Sequence, residues 1–140
     1  MSRTIDDTTA GPDVLLVEDT RADAALVRES LSDDYDVEVR SDGRTAISRL
    51  RSFDSETAAP EVIVLDLGLP KWDGFDVLAA MRNESTLESV PVVILSNSKS
   101  PDDRSRAHDL GADRFVTKPM DIDGFDRKIE NIERSYLHAE

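Results

Sequence analysis

The stretch VIVLDLGLPKWDGFDVL, residues 62–78, sets two patterns side by side. Val62–Asp66 is an apolar run that ends on an acid, as a central parallel strand buried on both faces should be. A helical pattern follows near 73–83, so the stretch reads as a strand-to-helix unit with Asp66 at its turn. Further strands are expected at Val14–Glu18, Tyr35–Arg40, Val92–Ser96 and Arg114–Thr117. Further helices are expected near 20–32, 42–53, 101–110 and 121–137. Five such units in series imply an α/β fold, a parallel sheet with helices on both faces.

The helix expectations rest on spacing. Ile122, Phe125, Ile129, Ile132 and Tyr136 recur at steps of three and four, on one helix face, and Ala46, Ile47, Leu50 and Phe53 do the same. The fourth helix has Ser100 as its cap, Pro101 in its first turn, Asp102 and Asp103 at the positive end of its dipole, and Gly111 as its stop. Its apolar stripe is thin, chiefly Ala107 and Leu110. Strand character orders the sheet. The first, third and fourth runs are almost wholly apolar, while the second alternates Tyr35, Val37 and Val39 with Asp36, Glu38 and Arg40, and the fifth is short and flanked by charge. Those two are edges, which gives the flavodoxin-like, doubly wound order 2-1-3-4-5 with five helices and a switch point between strands 1 and 3.

The whole chain has 140 residues, with 17 Lys and Arg against 30 Asp and Glu, a formal charge of −13, and 39% hydrophobic residues. That suits one domain with a core. The charge opposes nucleic-acid binding, which needs clustered Lys and Arg, and opposes adhesion to an anionic membrane. With no cysteine there is no disulfide framework, thiol nucleophile or thiolate metal site. His108 and His138 lack a metal-pair spacing, and no stretch approaches the ~18 apolar residues of a membrane helix. Met1–Pro12 has no apolar signal region and reads as a short flexible tail on a cytoplasmic protein. An acid set rich in Asp and a base set rich in Arg fit either a high-salt cytoplasm or an ordinary acidic protein.

Ligands in such sheets bind beyond the carboxyl ends of the strands. There lie Glu18, Asp19, Asp66, Ser96 and the pair Lys118–Pro119. Each has a structural explanation alone: Asp19 or Thr20 as a helix cap, Ser96 as a strand end, Lys118 as a solvated cation. Together they gather at one rim. Three crowded carboxylates repel unless cations join them, and a divalent ion with Lys118 would neutralise them. Oxygen donors without sulfur or imidazole select Mg²⁺, with Mn²⁺ as a substitute. The set suits phosphoryl transfer, with Asp66 as nucleophile forming an acyl phosphate, and with Lys118 and Ser96 stabilising phosphoryl oxygens. No nucleotide-binding glycine motif is present.

The runs VLLVEDT (14–20), VIVLDLGLPKWDGFDVL (62–78), PVVILSNS (91–98) and GADRFVTKPM (111–120) resemble, in this order and spacing, the response-regulator receiver domains of two-component signalling. The resemblance extends from Val14 to about Leu137. It implies that Asp66 accepts a phosphoryl group from a sensor histidine kinase or a histidine phosphotransfer protein. It further implies that Glu18 and Asp19 bind the metal together with Asp66 and the Gly68 backbone carbonyl. Ser96 would be the switch hydroxyl, Lys118 the phosphate contact, Phe115 the switch aromatic, and the Lys118–Pro119 peptide cis. Pro70, Asp73 and Gly74 resemble the turn after the phosphorylated strand. The opening from Val17 to Asp23, VED-x-x-x-D, with the LGLPKWDGFDVL run, looks like small stand-alone receivers associated with phytochrome-type kinases, several of which form homodimers.

On this reading residues 13–138 form the receiver and no effector domain follows, so output is a protein contact or a phosphorelay. Gly68 and Ser98 flank the path of the hydrolytic water, and neither blocks it, so intermediate-to-fast loss of phosphate is expected. Two other classes compete. An Asp-nucleophile phosphohydrolase would carry a second acid where this chain has Gly68. A receiver-like adaptor would not need the intact acids, hydroxyl and lysine.

Overall fold

The computed structural model describes residues 11–54, 58–69 and 73–137. Five strands, β1 (Val14–Val17), β2 (Val37–Arg40), β3 (Val62–Leu65), β4 (Val92–Ser96) and β5 (Arg114–Thr117), alternate with five helices. The helices are α1 (Arg21–Ser30), α2 (Gly43–Arg51), α3 (Gly74–Arg82), α4 (Pro101–Asp109) and α5 (Ile122–Tyr136), with a short 3-10 turn at Ser85–Leu87 that the sequence pattern did not announce. All neighbouring strands pair in parallel, in the order β2-β1-β3-β4-β5. The flavodoxin-like arrangement is the one expected.

Alternation along the strands divides the core in two. Leu15, Val17, Ile63, Leu65 and Ile94 face α2, α3 and α4 through Ile47, Leu50, Leu78, Met81 and Ala107. Leu16, Val62, Val64, Val93 and Leu95 face α1 and α5 through Val27, Phe125, Ile129 and Ile132. Strands β1, β3 and β4 are buried along their whole length, whereas every residue of β2 is half-buried. This is why the central runs carry no polar residue until their last position.

Some boundaries differ from expectation. Strand β2 begins at Val37, because Tyr35 is taken into a turn whose N–H donates to the Ser32 carbonyl. Ile122 does not join the buried face of α5; it is the helix's first residue and is 69% exposed, with Met120 more exposed still. Tyr136, at the other end, is half-buried with the Arg114 guanidinium over its ring. Of the expected tail, residues 1–10 lie outside the described residues. Pro12 is buried, so the folded body starts ahead of Asp13. His138, and Pro70 of the expected turn, also lie outside the described residues.

Helix starts follow local rules. Asp42, Asp73, Ser100 and Asp121 each accept a hydrogen bond from the N–H three residues on, capping α2, α3, α4 and α5. Helix α4 buries only Ala107 and stops at Gly111, whose φ of 105° suits a residue without a Cβ. Arg82 then fastens this region. Its guanidinium donates to the carbonyls of Gly111, Leu87, Glu88 and Val90 and to the Asp113 carboxylate.

Arg82→Ala therefore strips a partner from four carbonyls at once. A loss of about 2–4 kcal/mol in urea unfolding is expected. Arg82→Lys should recover only part of it, since an ammonium cannot reproduce the planar fork.

Candidate functional site

The site forms where three central strands end. Glu18 and Asp66 are the first residues past β1 and β3, strands that pair directly with Val17 beside Leu65. Ser96 closes β4 and pairs with Thr117 of β5, so Lys118 follows one residue beyond it. The Lys118 N–H donates to the Ser96 carbonyl at 2.7 Å. Four residues distant in sequence thus leave the sheet at one level. Glycine is required at one point nearby. A Cβ on Gly74 would lie 2.4 Å from the Asp66 carbonyl oxygen, so only glycine lets α3 close against the end of β3.

Carboxylate oxygens of Glu18, Asp19 and Asp66 lie within 4.8 Å of one another. Glu18 and Asp66 are buried and Asp19 is exposed. Thr20 starts α1 without a side-chain cap, and Asp19 does not cap it either; the Thr20 N–H instead donates to Glu18 Oε2 at 3.1 Å. That backbone bond fixes the Glu18 carboxylate. An oxygen-only set, one member open to solvent, fits a hard divalent cation that keeps part of its water.

Lys118 is no solvated loop cation. Its side chain is 4% exposed, and Nζ donates to Asp23 Oδ2 at 2.7 Å, Glu18 Oε1 at 2.8 Å and Asp66 Oδ2 at 3.5 Å. Burial pushes the Glu18 carboxyl up to about 7 and the Asp66 charge adds to this, against the pull of Lys118 and the Thr20 N–H. Burial works to lower the Lys118 ammonium, but its bonds to Asp23 and Glu18 and the charges of Asp66 and Glu18 outweigh it and raise it above its ordinary value.

Asp23 is the residue the sequence reading missed. It was visible in the VED-x-x-x-D spacing, which sets it one helical turn after Asp19, but no role was attached to it. With it the rim holds four acids against one lysine, one more than the expected balance allowed.

The other expected residues make contacts of their own. Ser96 is buried, and its Oγ accepts from the Ser98 N–H at 3.1 Å. Ser98 Oγ donates to Asp103 Oδ2 at 2.6 Å and accepts from the Ser100 N–H, tying it to the start of α4. Gly68 is exposed, its N–H donates to Asp66 Oδ1 at 3.3 Å, and a Cβ there would meet nothing within 4 Å. Phe115 is half-buried, packed on the core layer of α2, α3 and α4. Arg104 covers it, with its guanidinium 4.7 Å from the ring centroid and Nη1 donating to the Phe115 carbonyl. The expected cis bond is absent: no described peptide is cis, so Lys118–Pro119 takes the trans form, the lower in energy for an X–Pro bond.

A groove of about 490 Å³ lies along α4 and β5, lined by Lys99, Arg104, His108, Arg114 and Phe115 among others. No described helix is long and apolar enough to cross a membrane.

Comparison with known proteins agrees with this geometry. The response regulator receiver domain model matches residues 14–130. Response regulator Rcp1 of Synechocystis sp. is 33% identical over 131 residues, covering 90% of this chain and 89% of that protein. A probable methanogenesis regulatory protein, FilR2 of Methanothrix harundinacea, is 34% identical over 128 residues, covering 89% of this chain and 83% of that protein. The phosphorylated cyanobacterial phytochrome response regulator RcpA superposes with a TM-score of 0.82 at 35% identity, over 89% of this chain and 92% of that one. The Mn²⁺-bound form of Rcp1 gives 0.82 at 32% identity, over 93% and 97%. A core of central apolar strands, an acid-and-lysine rim at their carboxyl ends and these matches converge: the chain belongs to the response regulator receiver domain family.

Proposed function

We propose that this receiver accepts a phosphoryl group on Asp66 from a sensor histidine kinase or a histidine phosphotransfer protein, with Mg²⁺ bound by Glu18, Asp19, Asp66 and the Gly68 carbonyl. The observation that carries this reading is the meeting of Asp66 with Glu18, Asp19 and Lys118 at the end of a central strand. When bound, the cation would neutralise charge on the phosphoryl oxygens. Lys118 supplies a fixed positive charge to the same oxygens, and Ser96 a hydroxyl donor. The resulting acyl phosphate is a signal, not a turned-over product. Similarity to Rcp1 and RcpA over 90% and 89% of this chain supports a role in a two-component pathway, with output by protein contact or onward relay.

Output is assigned to α4, β5 and α5. Ser96 moves toward the phosphoryl group, and Phe115 turns into the space it leaves, which requires Arg104 to release the ring. Helix α4 is anchored by one buried alanine, so a small free-energy difference is enough to bias it. The groove beside Phe115 supports this face as the contact surface.

Three measurements follow. Incubation with acetyl phosphate and Mg²⁺ should add one phosphoryl group by intact mass, lost well before many hours because Gly68 leaves the water path open; Asp66→Asn should add none. Continuous turnover would point to a phosphohydrolase, and no reaction to an adaptor.

Glu18 sets a pH dependence. Its carboxyl titrates near 7 in the fold against 4.5 ordinarily, so its contribution to stability is complete below about 4.5 and disappears as pH rises through 7. Metal-free protein should lose on the order of 1–3 kcal/mol between pH 5 and 8 from this group. Mg²⁺ needs the charged form, so its stabilisation should grow over the same range. Thermal melts in EDTA and in Mg²⁺ read both trends, and Glu18→Gln should flatten the metal-free one.

Phe115→Ala should phosphorylate normally yet lose the phosphate-dependent gain in partner binding. An unchanged gain, measured by calorimetry against the partner, removes Phe115 from the switch.

A further inference from the structure

Lys118 Nζ has three N–H donors and three carboxylates around it, but they are not equivalent. Asp23 and Glu18 hold it at 2.7 and 2.8 Å, the usual length of a charge-assisted bond, while Asp66 is left at 3.5 Å. A buried ammonium facing a single carboxylate would close on it. Here two further acids hold it at shorter distances.

The gap matters because phosphorylation extends the Asp66 side chain. Phosphoryl oxygens reach farther from the backbone than the carboxylate oxygen that carries them. An ammonium pressed against bare Asp66 would occupy the approach of the incoming group and engage the nucleophilic lone pairs. One held back meets the new oxygens without withdrawing.

Of the two restraining acids, Glu18 belongs to the carboxylate trio that fits a cation, whereas Asp23 does not. Its grip on Lys118 is therefore not shared with a metal. Asp23 sits in the first turn of α1, with its side chain 24% exposed at the margin of the cleft.

We propose that Asp23 is a positioning residue for phosphoryl transfer, holding the Lys118 ammonium off Asp66 at a distance that suits a phosphoryl oxygen. The inference rests on the phosphoacceptor reading of Asp66. With acetyl phosphate as donor, the bond from Asp66 Oδ to phosphorus forms as the phosphorus–oxygen bond to acetate breaks. Acetate leaves with the electron pair, no proton leaves Asp66, and Lys118 stays protonated throughout.

The competing account is purely structural: an acid in the first turn of a helix favours the helix dipole. Loss of that effect would lower the melting temperature and nothing else.

The test uses the full chain at saturating Mg²⁺, with two readouts: phosphorylation rate against acetyl phosphate concentration, and equilibrium binding of beryllofluoride, a phosphoryl mimic. Asp23→Asn should lower the maximal rate and the beryllofluoride affinity by about tenfold each, as expected for sub-ångström misplacement of a catalytic charge. The half-saturating donor concentration should not change. Asp23→Glu, which keeps the charge and has the reach to hold Nζ, should recover most of both losses. An Asp23→Asn protein equal to or better than the parent in both readouts overturns the proposal, as does an Asp23→Glu protein no better than Asp23→Asn. A parent that takes neither phosphoryl group nor beryllofluoride overturns this proposal and the phosphoacceptor reading together, which separates the two failures.

Discussion

One buried ammonium governs the architecture of the rim. Lys118 bonds to residues 100, 95 and 52 positions away, at the end of β1, in α1 and at the end of β3. Taking a charge of either sign out of water costs several kcal/mol unless it is paired with good geometry. Neither the lysine nor Glu18 would be stable in that position without the other. Acids crowded without the lysine would repel and draw protons. The loops after three strands are therefore not independent segments. They are fixed together by a shared charge, and the sheet's task is to bring them to one level.

The sheet does this through its order. With β1 and β3 adjacent at the centre and β4 and β5 on the β3 side, parallel pairing in register delivers Glu18 beside Asp66 and Ser96 next to Lys118. Apolar runs that end abruptly in an acid or a hydroxyl place the hydrophobic core directly beneath the polar groups. The low-polarity floor raises the Glu18 carboxyl toward 7 and strengthens every charge interaction above it. Gly74 completes the frame, since any larger residue would push α3 away from the strand that presents Asp66.

Most of this was legible in the sequence because it depends on period and composition. Strand runs with no polar residue until the last position identify central strands, and the capping residue Ser100 identifies a helix start. What escaped follows from tertiary context. Asp23 carried no role in the sequence, and only the reach of the Lys118 side chain gives it a partner. Arg104 over Phe115, and Arg82 beneath Gly111, are long side chains that reach across elements, and no local pattern encodes such reach. Ile122 fitted the helical period yet is exposed, because periodicity defines a face but not how far the opposing surface extends. The cis Lys118–Pro119 bond was an inference from resemblance, and a peptide isomer is set by its surroundings, not by the dipeptide.

The same contrast between firm and loose contacts bears on how an event at Asp66 would travel. From Ser96 a continuous set of hydrogen bonds leads away from the acids: Ser98 N–H to Ser96 Oγ, Ser98 Oγ to Asp103, and Thr117 Oγ1 to the Ser98 carbonyl. Asp103 lies in the first turn of α4, the helix with the least buried apolar surface. Arg104, the next residue, covers Phe115. A displacement of Ser96 would reach α4 through two bonds, and α4 has little packing to resist it. By contrast α3, which buries several large side chains, would stay in place. Signal direction on the proposed reading thus follows from where the core is thin, since a two-state response needs an element whose alternatives differ by only a few kcal/mol.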